Sequence, residues 1–336
     1  MGISGSDAHG PTIGEASERE ALRRIFPRLP ESAATLVGPG DDAAVLAAPD
    51  GRFVVTTDMM VHGPDFRLAW SGPVDLGWKA AATNLSDVAA MGAVPTALVV
   101  AIAAPPETPV AWLEGVADGF RLACEALAPG CGVVGGDLSV SATLTFAVTA
   151  FGDLEGRRPV LRSGARPGDV VAVSGALGQA AAGLRLLFEE AVDAQGEPDA
   201  GRLAAVAAAH PAEVGAQLRP VPPVADGPLA AEAGATAMLD LSDGLALDAR
   251  RVAEASGVAI DLDTAILGPD VRTALTGGED HGLLAAFPPG TALPGGFRPV
   301  GVVREAHGHP GLLVDGVPFG ERGGWDPYLE WDGGRG

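Results

Sequence analysis

The segment Gly40–Asp58, GDDAAVLAAPDGRFVVTTD, has two adjacent carboxylates in a glycine turn and a third at the end of a predicted strand. The Asp50-Gly51 turn and the β-branched residues after it predict a strand over 52–58. Asp41 and Asp42 precede small apolar residues, so their side chains cannot both face a core. Paired carboxylates suit a hard cation such as Mg²⁺, which prefers oxygen ligands. A surface turn is the alternative, because Asp and Gly are common in turns for purely local reasons.

The composition excludes several classes of partner. The 336-residue chain is long enough for two domains, and its formal net charge of −21 argues against nucleic acid, whose binding needs clustered Lys and Arg. No apolar run approaches the ~18 residues of a membrane span. The start, MGISGSDAHG, lacks the charged and apolar regions of a signal peptide. With only Cys124 and Cys131, the chain has no disulfide framework, and we expect a cytoplasmic protein.

Strands alternate with helices in both halves of the chain, which predicts an α/β (α+β) protein. Residues 1–13 are expected to form a disordered lead. The pattern is interrupted at GDLEGRRP, residues 152–159, and this predicts one domain over 14–152 and a second over 153–336.

Further acids follow glycine turns, strand ends and one helix face. A predicted helix over 74–91 places Asn84 and Asp87 on one face. GVVGGD at 132–137 is interpreted as a short strand that runs into a glycine turn, and TAMLDLSDGLALD at 236–248 as a strand that ends in acids around a serine. The acids singled out are Asp41, Asp42, Asp58, Asp87, Asp137, Asp240 and Asp243. If the fold brings them together, their mutual repulsion requires two or more divalent cations.

A site with several magnesium ions beside glycine turns is what phosphoryl transfer requires. The chain has neither a P-loop nor a GxGxxG fingerprint, so any nucleotide site is of another design. Arg162, in the loop LRSGARPGD, is a candidate phosphate clamp; a solvated surface arginine is the alternative. No general base is evident, and a phosphate monoester acceptor, already largely dianionic at pH 7, needs none.

Taken together, the motifs resemble those of the thiamine-monophosphate kinase family, which lies in the superfamily of aminoimidazole ribonucleotide synthetase and selenophosphate synthetase. The resemblance covers nearly the whole chain and depends on the order and spacing of GDDAAVL, TTDMMVHG, NLSDVAAMGAVP, GGDLS, LRSGARPGD, LDLSDGL, GGED and GGWDPYLEW. It implies an enzyme of thiamine biosynthesis that phosphorylates thiamine monophosphate to thiamine diphosphate, by direct in-line transfer from ATP at a multi-magnesium site. Two alternatives stay open: another ATP-dependent synthetase of the superfamily, and a non-catalytic sensor of ATP and metal.

The resemblance also implies a fold and a set of site residues. The fold is aminoimidazole ribonucleotide synthetase-like, with an N-terminal sheet that pairs across a homodimer and a C-terminal α/β domain. Matching positions imply magnesium ligands at Asp42, Thr56, Thr57, Asp58, Asp87, Asp137, Asp240 and Asp243. They imply ATP contacts at Gly136, Asp137, Arg162 and Ser242, and substrate contacts at Asp65, Glu279 and Trp325. The expected catalytic residues are Asp58, Asp87, Asp137 and Arg162.

Two departures from the family pattern fall on the acceptor side. The family usually has G-x-H-F after the TTD strand, whereas this chain has Gly63-Pro64-Asp65-Phe66. The usual GGEDYEL is here GGEDHGL, at 277–283. An acid at position 65 would repel a phosphate unless a metal intervenes, or would favour the cationic thiazolium ring.

Overall fold

Two large β-sheets with their helices, and a small two-stranded sheet, form the part of the chain that the computed structural model describes, residues 10–12, 15, 18–37, 44–306 and 308–324. The first half contains α1 (Glu18–Ile25), β1 (Thr35–Val37), β2 (Val45–Leu46), β3 (Val54–Val61), α2 (Pro73–Ala90), β4 (Val94–Ala104), α3 (Val110–Leu127), β5 (Gly132–Val140) and β6 (Thr145–Asp153). The second half contains β7 (Val170–Ser174), α4 (Gln179–Glu190), α5 (Ala200–Ala209), α6 (Pro211–Leu218), α7 (Asp226–Glu232), β8 (Ala237–Leu241), α8 (Leu245–Ser256), β9 (Ala259–Leu262), α9 (Val271–Thr276), β10 (Gly282–Phe287), β11 (Arg298–Arg304), β12 (Gly311–Val314) and β13 (Val317–Pro318).

The first sheet has the strand order β3-β6-β4-β5, with one parallel pair, β4 and β5. Strand β6 alternates, and its residues Phe146, Val148 and Ala150 are buried against the helices. On the opposite face of the sheet, Val55 and Met59 of β3 are more than half exposed. One face of this sheet is therefore covered by helices and the other is open and partly apolar.

Helix α2 lies between the two sheets. It contacts β3 and β6 of the first sheet and β8 of the second, and nearly all of its residues are buried. Its sequence is rich in Ala because both sides must pack closely. The helix begins with Pro73 and ends at Ala90, and Gly92, whose φ is +74°, follows the C-cap residue Met91; the predicted helix over 74–91 is confirmed to within one residue at each end.

The second sheet has the order β13-β12-β9-β11-β7-β10-β8 and is antiparallel except for β12 beside β9. Strands β8, β9 and β10 are buried along their whole length, which explains why their sequences are apolar apart from Asp240 in β8 and Asp261 in β9. The predicted hairpin at Asp315-Gly316 joins β12 to β13. In the described part of the chain, no helix has the length and hydropathy of a bilayer span.

Three local predictions were wrong. Strand β3 continues past Asp58 to Val61, because its pairing with β6 extends to Thr145. Strand β5 likewise continues past Asp137 to Val140, in register with Ala104 of β4, so no turn follows the two glycines. The Thr108-Pro109 pair predicts Thr108 as the N-cap of helix α3, but Pro109 occupies that position and Thr108 is buried.

The crossing of α2 and α3 depends on glycine, which yields a first prediction. A Cβ added at Gly77 would lie 2.1 Å from the carbonyl oxygen of Val116. We expect Gly77→Ala to lower the free energy of unfolding by about 1–3 kcal/mol, because the helices must separate. Urea denaturation would measure the loss.

The matched control is Gly215→Ala in α6, where an added Cβ meets nothing within 4 Å. That change should be neutral or stabilise the protein by up to about 1 kcal/mol, since Ala favours helix. Equal stabilities of the two variants would contradict the close packing of α2 against α3.

Candidate active site

A cavity of about 880 Å³ lies where the two halves of the chain meet. Its apolar wall comes from the segment after β3 and from α4, and consists of Phe66, Trp70, Leu184, Leu187 and Phe188. Its polar wall consists of Asp58, Asp65, Lys79, Ser242, Asp243, Glu279 and His281. A cavity of this volume, with one apolar wall and one polar wall, suits a small ligand with an apolar body and a charged end.

Asp58 and Asp87 are held by the contact between β3 and α2. The backbone N–H of Asp58 donates to Asn84 Oδ1 over 3.1 Å, and Thr56 Oγ1 donates to Asp87 Oδ2 over 2.8 Å. Desolvation raises the pKa of Asp58, and the charges of Asp240 and Asp243 add to this effect while His281 opposes it. Burial raises the pKa of Asp87 to about 7, and the charges of Asp240 and Asp58 contribute.

Asp240, at the end of β8, is buried and faces α2. Ser86 Oγ donates to Asp240 Oδ2, and His281 Nδ1 lies 3.4 Å from the same oxygen. Burial alone would lower the pKa of His281, but the hydrogen bond and the negative charge of Asp240 raise it. The imidazole beside these carboxylates therefore holds its second proton more readily than a free imidazole does.

Asp243 is positioned by the first turn of α8. Arg251 Nη1 lies 2.7 Å from Asp243 Oδ2 and 2.6 Å from Asp248 Oδ1. The other oxygen of Asp248 accepts the backbone N–H groups of Asp243 and Gly244. Asp248 is fully buried, and burial raises its pKa to about 7. A guanidinium thus already pairs with one oxygen of Asp243, a predicted metal ligand.

Glu279 enters the cavity from a strained loop. Its φ is +68° and that of His281 is +52°, both in the left-handed region that favours glycine. Glu279 Oε2 accepts from Lys79 Nζ over 2.8 Å and from Gln217 Nε2 over 2.7 Å. Burial favours a high pKa for Glu279, but Lys79 and Gln217 lower it, so the group is ionised.

The structure places the other predicted residues in separate regions, and two of these regions belong to the first sheet. Thr57 is on the open face of the first sheet and hydrogen-bonds Val148 and Thr149. Gly136 and Asp137 lie on β5, the edge strand opposite to β3, and are not brought to Asp58 within one chain. Gly136 allows close strand approach, because an added Cβ would lie 2.0 Å from the carbonyl oxygen of Val100.

Arg162 is exposed, and its carbonyl oxygen accepts from Ser256 at the end of α8. It is not part of the cavity wall. Ser242 does line the cavity, and its carbonyl oxygen accepts the backbone N–H of Glu279. Asp42 and Trp325 lie outside the described residues, as does Asp41.

The donor chemistry fits magnesium, although the acids do not converge closely. Carboxylate and hydroxyl oxygens are the ligands that Mg²⁺ prefers, and the charges of neighbouring acids contribute to the raised pKa of Asp58 and of Asp87. Within the described ranges, no three His, Cys, Asp or Glu side chains are close enough to hold one metal ion. Mg²⁺ usually completes its coordination with water and substrate phosphates, so two or fewer protein carboxylates per ion are sufficient.

Two cavity residues were not predicted from the sequence. The sequence does contain a pattern that could have identified Lys79, since Lys79 shares a helix face with Thr83 and Asp87 at a spacing of four residues. Gln217 has none, because only the packing of α6 against α4 brings it to Glu279.

Comparisons with known proteins were made for sequence and for fold. Residues 40–154 match the family "AIR synthase related protein, N-terminal domain". The chain is 43% identical over 338 residues to a thiamine-monophosphate kinase of Mycobacterium tuberculosis, covering 96% of this chain and 95% of that protein.

Two solved structures are similar in fold. The thiamine-monophosphate kinase from Stenotrophomonas maltophilia K279a has a TM-score of 0.74 and 32% identity, covering 89% of this chain and 97% of that one. A structure described as "AaThiL complexed with AMPPCP and TMP" has a TM-score of 0.69 and 31% identity, covering 85% and 90%.

The last acid of the GGED motif stabilises the site rather than facing it. Asp280 is buried and accepts the backbone N–H groups of Gly178 and Ala180 at the start of α4. We expect Asp280→Ala to lower the free energy of unfolding by about 1–3 kcal/mol, because two buried donors lose their acceptor.

Asp270→Ala is the control, since Asp270 also caps a helix, α9, but is exposed. Water can replace that carboxylate, so the loss in urea denaturation should be about 1 kcal/mol or less. Equal losses for the two variants would contradict a buried cap at Asp280.

Proposed function

This chain belongs to the thiamine-monophosphate kinase family, and on that premise we propose that it transfers the γ-phosphoryl group of ATP to thiamine monophosphate, producing thiamine diphosphate. One observation carries the proposal: Asp58, Ser242, Asp243 and Glu279, from three separate family motifs, line the same cavity of about 880 Å³. The expected location is the cytoplasm, where ATP is available.

We propose that Asp42, Thr56, Asp58, Asp87, Asp240 and Asp243 hold several magnesium ions on the polar wall, with Thr57 and Asp137 as further ligands. Bound magnesium would neutralise and bridge the phosphate oxygens of donor and acceptor. The chain's own contribution is orientation. Thr56 fixes Asp87, while Ser86 and His281 fix Asp240, so these carboxylates keep their positions despite mutual repulsion.

The acceptor needs positioning more than activation. A phosphate monoester is largely dianionic at pH 7, so the attacking oxygen is already deprotonated. We propose that the acceptor phosphate lies toward Asp58 and Asp243, and its rings toward Phe66 and Phe188. Glu279, kept ionised by Lys79, is then within the acceptor half of the cavity, where Trp325 is the remaining substrate contact that the family motif implies.

ATP is proposed to contact Gly136, Asp137, Arg162 and Ser242, and this set favours a homodimer. Asp58 and Asp137 lie on opposite edge strands, and Val148 and Val100 separate Asp58 from Gly136 in register. Three strand spacings correspond to about 14 Å. A second copy that covers the open face of the first sheet would bring its own Asp137 toward Asp58.

The open face supports the same assembly. Phe53 just before β3, and Val55 and Met59 on β3, are all more than half exposed. Exposed apolar patches of this kind mark interfaces. In this arrangement the proposed domain 14–152, with the first sheet, would form the dimer interface. The proposed domain 153–336, with the second sheet, would contribute to the cavity wall of its own copy.

The kinase assignment is tested with ATP, Mg²⁺ and thiamine monophosphate. We expect thiamine diphosphate to form, and Asp87→Asn and Asp58→Asn to lower kcat by about 10²-fold or more, because oriented phosphate charge neutralisation is lost. Both variants should fold, since removal of one repelling carboxylate does not destabilise the others. Product would be measured chromatographically, with exposed Asp263→Asn as the control.

Three outcomes would contradict parts of this assignment. Consumption of ATP only in the presence of an acceptor other than thiamine monophosphate would favour the alternative of another synthetase of the superfamily. Tight binding of ATP and Mg²⁺ without turnover would favour a sensor. A near wild-type kcat in Asp87→Asn would remove Asp87 from the magnesium ligands.

Complementation tests whether the site is shared between two copies. Asp58→Asn and Asp137→Asn should each be inactive as homodimers. A heterodimer of the two would contain one site with both substitutions and one with neither. Random mixing by co-expression should therefore restore about a quarter of wild-type activity, given closed twofold symmetry.

The control pair is Asp58→Asn with Asp87→Asn, whose changes lie on the same side of one chain. That mixture should stay inactive, because each site receives one substitution. If the Asp58→Asn and Asp137→Asn mixture also stays inactive, Asp137 does not act across a dimer.

A further inference from the structure

Asp65 projects from the short loop after β3 into the cavity. The loop is fixed by backbone hydrogen bonds from Asp65 N to Val61 O and from Gly63 N to Phe66 O, each of 3.1 Å. The carboxylate Oδ2 accepts the backbone N–H of Val61 over 2.6 Å. Among the described residues, none donates a hydrogen bond to Oδ1, and Asp65 lines the cavity. One carboxylate oxygen therefore fixes the loop while the second is available to a ligand.

The surroundings of Asp65 are aromatic on one side. Phe66 follows it directly, and Trp70 packs edge-on against Phe188 with their ring centroids 4.8 Å apart. All three rings line the same cavity. Their faces attract flat cations, and a carboxylate beside them strengthens that preference in a partly desolvated site.

The charges of Glu279, Lys79 and Arg67 all act on Asp65. Lys79 Nζ is buried and donates to Glu279, 2.8 Å away, so its charge is engaged by a carboxylate other than Asp65. Arg67 is close to the aromatic wall, with its guanidinium carbon 5.8 Å from the centroid of Phe188. That contact itself illustrates that Phe188 accepts a planar cation against its ring.

We infer that Asp65 is a specificity determinant that selects an acceptor with a positively charged ring over a neutral ring of the same shape. The inference rests on the proposed function and identifies the thiazolium of thiamine monophosphate as the group selected. The competing role, a metal contact toward the acceptor phosphate, would act equally on charged and neutral rings.

The experiment compares thiamine monophosphate with its neutral isostere, the monophosphate in which a thiophene replaces the thiazolium. Equilibrium binding of both compounds is measured calorimetrically with Mg²⁺ and a non-hydrolysable ATP analogue, and kcat/KM is measured with ATP. The variants are Asp65→Asn, which keeps an acceptor for the Val61 N–H, and Asp65→His. Glu107→Gln is the control, since it removes the same charge at an exposed position outside the cavity.

We expect the wild type and Glu107→Gln to prefer the charged compound, and Asp65→Asn and Asp65→His to narrow that preference by about fivefold or more. KM for ATP should not change. An unaltered preference in Asp65→Asn would overturn the inference, as would an equal loss for both compounds. Because binding is measured separately, a protein that selects the cation but forms no thiamine diphosphate would refute the kinase assignment alone.

Discussion

The constraint on which the rest of the structure depends is the repulsion among carboxylates held near one another with little water. Burial raises the pKa of Asp87 to about 7, and the nearby charges of Asp240 and Asp58 add to the effect. Asp87 and Asp240 each have a side-chain partner that fixes the direction of the carboxylate. Thr56 donates to Asp87, Ser86 donates to Asp240, and His281 places an imidazole against Asp240. Without divalent cations such an arrangement favours protonation, so charge neutralisation by a ligand is part of its design.

Helix α2 is the element that makes this arrangement possible. Successive turns of α2 supply Lys79, Asn84, Ser86 and Asp87. Because the helix is buried between two sheets, Asn84 and Asp87 reach β3 while Ser86 reaches β8. Small residues on the remaining faces let β3, β8 and α3 approach closely. Packing and chemistry are therefore coupled: a helix more distant from the sheets would not bring Asp87 within reach of Thr56, or Ser86 within reach of Asp240.

Local sequence signals predicted the elements whose stability is local. The cap signals of α2, the β-branched residues of β3 and the Asp-Gly hairpin before β13 each act over a few residues, and all three elements are present. The ends of β3 and β5 were missed because strand length is set by the partner strand, which the sequence does not identify. Likewise, the motif around Asp137 indicated its chemistry but not its position on the opposite sheet edge. Gln217 reaches Glu279 only through the contact of two helices.

The acids themselves separate into two groups by what their oxygens contact. Asp248 and Asp280 accept backbone N–H groups, and both oxygens of each are engaged by described residues. Such carboxylates stabilise helix starts and have no oxygen left for a cation. Asp58, Asp87 and Asp240 differ, since within the described chain at least one oxygen of each has no hydrogen-bond donor. The motif LSDGLALD contains a capping acid close to an acid proposed as a metal ligand, and GGED contains a capping acid next to an acid that lines the cavity. The two kinds occur together because a strand end and the start of a helix meet at the same place. The distinction between the two roles is therefore a property of backbone geometry, and it supports the ligand role that we propose for Asp58, Asp87 and Asp240, whose carboxylates accept no backbone N–H within the described chain.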